Sequence, residues 1–90
     1  MKISRQKIDK ISEQIINFLY SKNPQLLFTS QISREIARDE EFIKKILIDL
    51  KKKNLLVEIK KNPKGKDYIR RSRWRLSDNA YSAYKSHQTY

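Results

Sequence analysis

The strongest constraint in this sequence is a change of hydrophobic period at Asn54. Before it, apolar residues recur at three- and four-residue steps, which places them on one side of a helix. After it they alternate, which places them on one side of a strand. Such a chain must set a helical layer against a small sheet. Ile8, Ile11, Ile15, Phe18 and Leu19 form the first stripe, on a helix that Ser4 can cap and that runs to about Tyr20. Ser21-Lys22-Asn23-Pro24 breaks it, because proline cannot continue the hydrogen-bond ladder. Leu26-Leu27-Phe28 reads as a short extended piece. Thr29 or Ser30 then caps a second helix, Gln31 to about Arg38, with Ile32 and Ile36 inward. Asp39-Glu40-Glu41 opens a third helix that reaches Lys53, with Ile43, Ile46, Leu47 and Leu50 as its core stripe. Three lysines close it, where the helix dipole favours cations, and Asn54 suits the left-handed position that stops a helix.

Beyond Asn54, Leu55, Val57 and Ile59 share one face, with Glu58 and Lys60 on the other. Asn62 to Asp67 holds the only glycine and the second proline and reads as a hairpin turn. The return strand, Tyr68 to Leu76, has unlike faces: Tyr68, Arg70, Ser72, Trp74 and Leu76 on one, Ile69, Arg71, Arg73 and Arg75 on the other. Ser77 caps a last helix carrying Ala80, Tyr81, Ala83 and Tyr84. The expected fold class is α+β, mostly helical. It forms one domain over 1–90, with a core at about 4–76 and a C-terminal helix at about 77–87.

Charge decides which functions such a domain can serve. Residues 44–75 carry thirteen basic and three acidic side chains, net +10 of the chain's +11. Concentrated charge makes a local field that attracts a polyanion and displaces its counterions. With no cysteine there is neither a disulfide framework nor a thiolate metal site. No apolar run exceeds three residues, so no bilayer span is expected, and the first ten residues lack the apolar stretch of a signal peptide. A cytoplasmic, DNA-associated location is the expectation. The single histidine, His87, sits near the chain end, and no Ser/His/Asp set, carboxylate pair or Gly-rich phosphate loop can be assembled. Neither an enzyme, a cofactor nor a metal is expected. A membrane-surface helix would need a continuous apolar face below its lysines, whereas this basic segment changes period midway.

The stretch from Phe28 to Leu76 resembles the winged helix-turn-helix superfamily. FTSQISREIARDEEFIKKILIDLKKKNLLVEI is similar to its helix–turn–recognition-helix–strand signature, and KKNPKGKDYIRRSRWRLS to its wing. The ending WRLSDNAYSAYKS resembles the passage from wing to C-terminal helix in MarR-like and PadR-like members. Asn54 stands where the family usually has glycine, and asparagine tolerates the same backbone. The Lys- and Ile-rich, Cys-free chain also resembles small archaeal, plasmid and viral members. The resemblance implies three helices, a β-hairpin wing and a C-terminal helix, with double-stranded DNA as partner.

Candidate site residues follow from the faces. The third helix presents Glu41, Lys44, Lys45, Ile48 and Lys52 away from its core stripe, with Asp49 at the edge. A helix fits the major groove, where lysine donates to guanine or phosphate. Ile48 either touches a thymine methyl or is partly shielded beside the wing or Phe42. Ser30, Gln31 and Arg34, on the first turn of the second helix, suit a phosphate clamp, with simple capping as the alternative. The wing offers Lys60, Lys61, Lys64, Lys66, Arg70, Arg71, Arg73 and Arg75 to backbone and minor groove. Trp74 and Tyr68 suit base stacking on single strands less well than a place in a small core.

Ile3, Ile16, Tyr81, Tyr84 and Tyr90 on the terminal helices would complete the monomer or, as the resemblance implies, join a homodimer. A two-fold dimer implies inverted half-sites about one helical turn, ~10 bp, apart or a multiple. The leading expectation is a site-specific transcription regulator that represses by occupancy. A partition protein that binds a centromere-like site and recruits an adaptor protein is the alternative. A winged helix serving as a protein-interaction module is the third.

Overall fold

The computed structural model describes residues 4–60 and 72–88. Helix α1 (Arg5–Lys22) starts at Ser4, whose hydroxyl accepts the Lys7 N–H at 3.3 Å. It runs two residues beyond the expected end and turns Ile11, Ile15 and Leu19 into the core. Strand β1 (Leu27–Phe28) passes directly into α2 (Thr29–Ile36). Here the sequence expectation needs correction. The residue at the N-cap is Phe28, not Thr29 or Ser30. Its backbone N–H is satisfied by the Gln31 side-chain oxygen at 2.8 Å, so an amide reaching backwards replaces the hydroxyl cap. The helix also ends earlier, because Ala37 takes the left-handed conformation at φ 61°.

Helix α3 (Glu40–Lys52) is capped by Asp39, whose carboxylate accepts the Phe42 N–H at 3.1 Å. Ile43, Ile46, Leu47 and Leu50 are all buried, as their spacing requires. Asn54 stops the segment at φ 64°, the left-handed position its short polar side chain tolerates. Strands β2 (Leu56–Ile59) and β3 (Arg73–Leu76) follow, then α4 (Asp78–Gln88). The three strands form an antiparallel sheet in the order β1-β3-β2, with Leu27 opposite Trp74 and Leu56 opposite Leu76. Among the described residues, no helix is long and apolar enough to cross a membrane.

The alternation in β2 is as the sequence indicates, but the side turned to the core is the one that holds Leu56 and Glu58. Val57 and Ile59 are half-buried on the opposite face, which they share with Phe28, Arg73 and Arg75 across the register. Trp74 settles into the centre of the core at 0% exposure. Its indole N–H donates to Thr29 Oγ1 at 2.8 Å, which ties the middle of the sheet to the first residue of α2. A buried indole needs such a partner, so Thr29 is the residue that lets tryptophan occupy this position.

Ser77 joins the wing base to α4. Its N–H donates to the Leu55 carbonyl at 2.9 Å and its hydroxyl to the Asn54 carbonyl at 2.8 Å. The same hydroxyl accepts the Ala80 N–H at 3.1 Å, the expected cap of the last helix. Helix α4 then lies against α1: Tyr20 stacks on Tyr81 at 5.1 Å between ring centroids and meets Tyr84 at 4.6 Å. The Tyr84 hydroxyl donates to the side-chain oxygen of Asn17.

Candidate nucleic-acid interface

Helical geometry sorts the exposed side of α3 into a central row and two edges. Glu41, Lys45, Ile48 and Lys52, at steps of four, three and four, line up opposite the buried stripe. Glu41, Lys45 and Lys52 are exposed, whereas Ile48 is half-buried and packs against the core cluster. Lys44 is exposed at one edge of the row.

The run Lys51-Lys52-Lys53 does not act as a block. Lys51 Nζ lies 2.8 Å from Glu58 Oε1 of β2, and Lys53 Nζ lies 3.1 Å from Asp49 Oδ2 one turn back. Lys51 and Lys53 are thus each paired with a carboxylate, and Lys52 alone of the three stands in the central row. Asp49 and Lys53 line a surface groove with Arg5, Ile8, Asp9 and Ser12 of α1, which turns Asp49 away from the row. The pKa of Glu58 is shifted by its surroundings. Burial pushes it up, but hydrogen bonds from Lys51 and Ser72, with the charges of Lys51 and Lys60, together leave it below its ordinary value.

On α2, Arg34 is exposed and Ser30 half-buried, while Gln31 is exposed with its oxygen committed to Phe28. Its amide NH2 remains a donor. At the wing base, Arg73 and Arg75 alternate with Trp74 as read from the sequence, yet they do not stand clear of the protein. The Arg73 guanidinium lies 5.9 Å from the centre of the Phe28 ring. Arg75 donates to the Leu76 carbonyl at 2.8 Å and sits 3.5 Å from the Asp78 carboxylate. Lys60 is exposed at the end of β2. Ile3, Lys61, Lys64, Lys66, Tyr68, Arg70, Arg71 and Tyr90 lie outside the described residues.

Of the terminal residues proposed for an interface, Ile16, Tyr81 and Tyr84 are half-buried, and both tyrosines already pack on Tyr20. Sequence reading missed Thr29 as the indole's partner and Glu58 as a buried carboxylate. For Glu58 a signal existed, since an acid within the most basic segment invites a search for its lysine.

Solved structures match this arrangement closely. Staphylococcus aureus MepR in complex with DNA superposes with a TM-score of 0.75 over 92% of this chain, at 16% identity. The fold is a MarR-like winged helix-turn-helix. A mutant of Lactococcus lactis ZitR in its apo form gives 0.70 over 92% at 18% identity. The PcaV transcriptional regulator from Streptomyces coelicolor, in complex with its natural ligand, gives 0.62 over 86% at 21%. This winged-helix chain spans 65%, 58% and 49% of those three chains respectively. No protein-family model and no curated protein sequence matches it. Within the winged helix, α2 and α3 are the helix-turn-helix, α3 is its second helix, and β2 and β3 are the root of the wing.

Proposed function

We propose that this protein binds double-stranded DNA through α3 and the wing and regulates transcription at specific sites. The observation that carries the reading is the exposed row of α3: lysines stand clear on the second helix of a helix-turn-helix, inside a segment of net charge +10. A helix presented this way enters the major groove, with Lys44 and Lys45 at base edges and Lys52 on phosphate. Glu41, at the start of the row, suits the amino group of cytosine. Ser30, the Gln31 NH2 and Arg34 are placed at the start and along α2, where donors hold a phosphate and fix register without reading sequence. Lys60, with the wing residues from Lys61 to Arg71, supplies backbone and minor-groove contacts. Arg73 and Arg75 support the wing root. The similarity to a DNA-bound MepR structure is consistent with this pose.

The active unit is a two-fold homodimer joined through α1 and α4, with Ile3, Ile16 and the tyrosine layer of Tyr81 and Tyr84 at or beneath the contact. If such a dimer contacts six to ten phosphates, affinity falls by roughly 10³–10⁵ between 50 and 200 mM salt.

The test is to capture fragmented genomic DNA on the immobilised protein at moderate salt and sequence it against the input. Recovery of a few fragments that share an inverted repeat, from promoters, is the expected result. Uniform recovery would overturn the base-reading assignments, and recovery of repeat clusters away from promoters would overturn the regulatory role. Light scattering of the free protein reads the dimer directly.

A further inference from the structure

Resting on the DNA-binding reading, we propose that Glu58 is a positioning residue that locks the wing root to the recognition helix and keeps Lys51 off the DNA. Its side chain is only 8% exposed, on the core-facing side of β2 and in register with Trp74. A carboxylate there is costly unless it is paired and hydrogen-bonded. Both of its oxygens are used: Oε1 takes the Lys51 ammonium of α3 at 2.8 Å, and Oε2 accepts the hydroxyl of Ser72 at the entry to β3. One carboxylate thus touches the recognition helix and both sides of the wing root.

Two consequences follow for DNA. The first is angular. Base contacts come from α3 and backbone contacts from the wing, so specific binding requires both in one fixed relation. Non-specific binding, which is charge attraction, has no such requirement. The second is electrostatic. Lys51 is engaged by Glu58 and Lys53 by Asp49, so Lys52 is the lysine of that run with no ion-pair partner among the described residues.

The experiment measures affinity for a selected site and for random duplex across a salt series, with Glu58→Gln, Lys51→Met and Lys52→Met. Glutamine keeps size and an acceptor for Ser72 but not the charge that holds Lys51. Glu58→Gln lowers the specific-to-random ratio about fivefold or more, and steepens the salt slope by about 0.9 as Lys51 is freed. Lys51→Met lowers the ratio comparably with the slope unchanged. Lys52→Met reduces the slope by about 0.9 and leaves the ratio nearly as it was. An unchanged ratio in Glu58→Gln, or a slope in Lys51→Met as reduced as in Lys52→Met, overturns the proposal.

Hydrogen exchange of the free protein separates this from failure of the DNA reading. In both Glu58→Gln and Lys51→Met the amides of β2 and β3 exchange faster than in the wild type, while those of α1 do not. Unchanged exchange refutes the lock whether or not the protein binds DNA. Faster exchange in a protein that ignores duplex refutes the DNA reading alone.

Discussion

Replacing Thr29 by valine isolates the contact on which the core depends. The two side chains share a shape, so the change exchanges one hydroxyl for a methyl and little else. Thr29 is 7% exposed, and its oxygen accepts the Trp74 indole N–H at 2.8 Å from a ring with 0% exposure. The helix loses no cap, because Phe28 and Gln31 perform that role. What remains is an N–H stranded where water cannot reach it, which costs about 1–3 kcal/mol. In a domain of this size each kcal/mol moves the melting temperature by roughly 4–8 °C, so a fall of about 5–20 °C is expected. Thermal unfolding followed by circular dichroism measures it. A Trp74→Phe variant completes a double-mutant cycle, in which the paired changes cost less than their sum by about 1 kcal/mol. Trp74 is the only tryptophan, so its fluorescence reports the same site: blue-shifted emission, unaltered by single-stranded DNA. A neutral Thr29→Val, together with red-shifted emission that single strands quench, would refute the buried-anchor reasoning and restore the stacking role.

Three further expectations concern other joints. Ser77→Ala removes the hydroxyl that donates to Asn54 and accepts from Ala80, and it should cost about 1–2 kcal/mol in chemical denaturation. Ala37→Gly relieves a left-handed alanine at φ 61° and should stabilise by about 0.5–1 kcal/mol after the added unfolded-state entropy; destabilisation would show that the alanine methyl packs usefully. The folded pKa of Glu58 lies below its ordinary value of 4.5, so its stabilising contribution is complete above that pH and is lost as pH falls through the lower folded value. Melting curves of wild type and Glu58→Gln should therefore differ at neutral pH and converge in acid; a gap that persists at low pH would mean the carboxylate charge is not what stabilises.

The parts of the fold legible in the sequence are those set by periodicity. The stripes of α1 and α3, the stop at Asn54 and the change to strands after it all follow from spacing and one backbone preference. The α2 cap was misplaced because two hydroxyl residues sit where a cap is favoured. Tertiary demand took Thr29 for the indole, and a glutamine side chain three residues from Phe28 filled the vacancy. In β2 the run Leu55-Leu56-Val57 offers an apolar residue to either face, so alternation alone could not say which side is core. Packing against Trp74 and Leu76 decided it. On the candidate interface, sequence marked the basic segment but could not divide it. Whether a lysine faces solvent or an aspartate one turn away depends on distances, and those pair Lys51 and Lys53 while leaving Lys52 in the row.

Whether the exposed lysine row of this winged helix serves duplex DNA is decided by competition binding. The most direct measurement is fluorescence anisotropy of a labelled duplex selected from genomic fragments, competed by random duplex and by single strands across a salt series. The expected result is preference for the selected duplex over both competitors and a log–log salt slope of about −5 to −9, the range for six to ten phosphates. Equal competition by single strands, or affinity indifferent to salt, would contradict it.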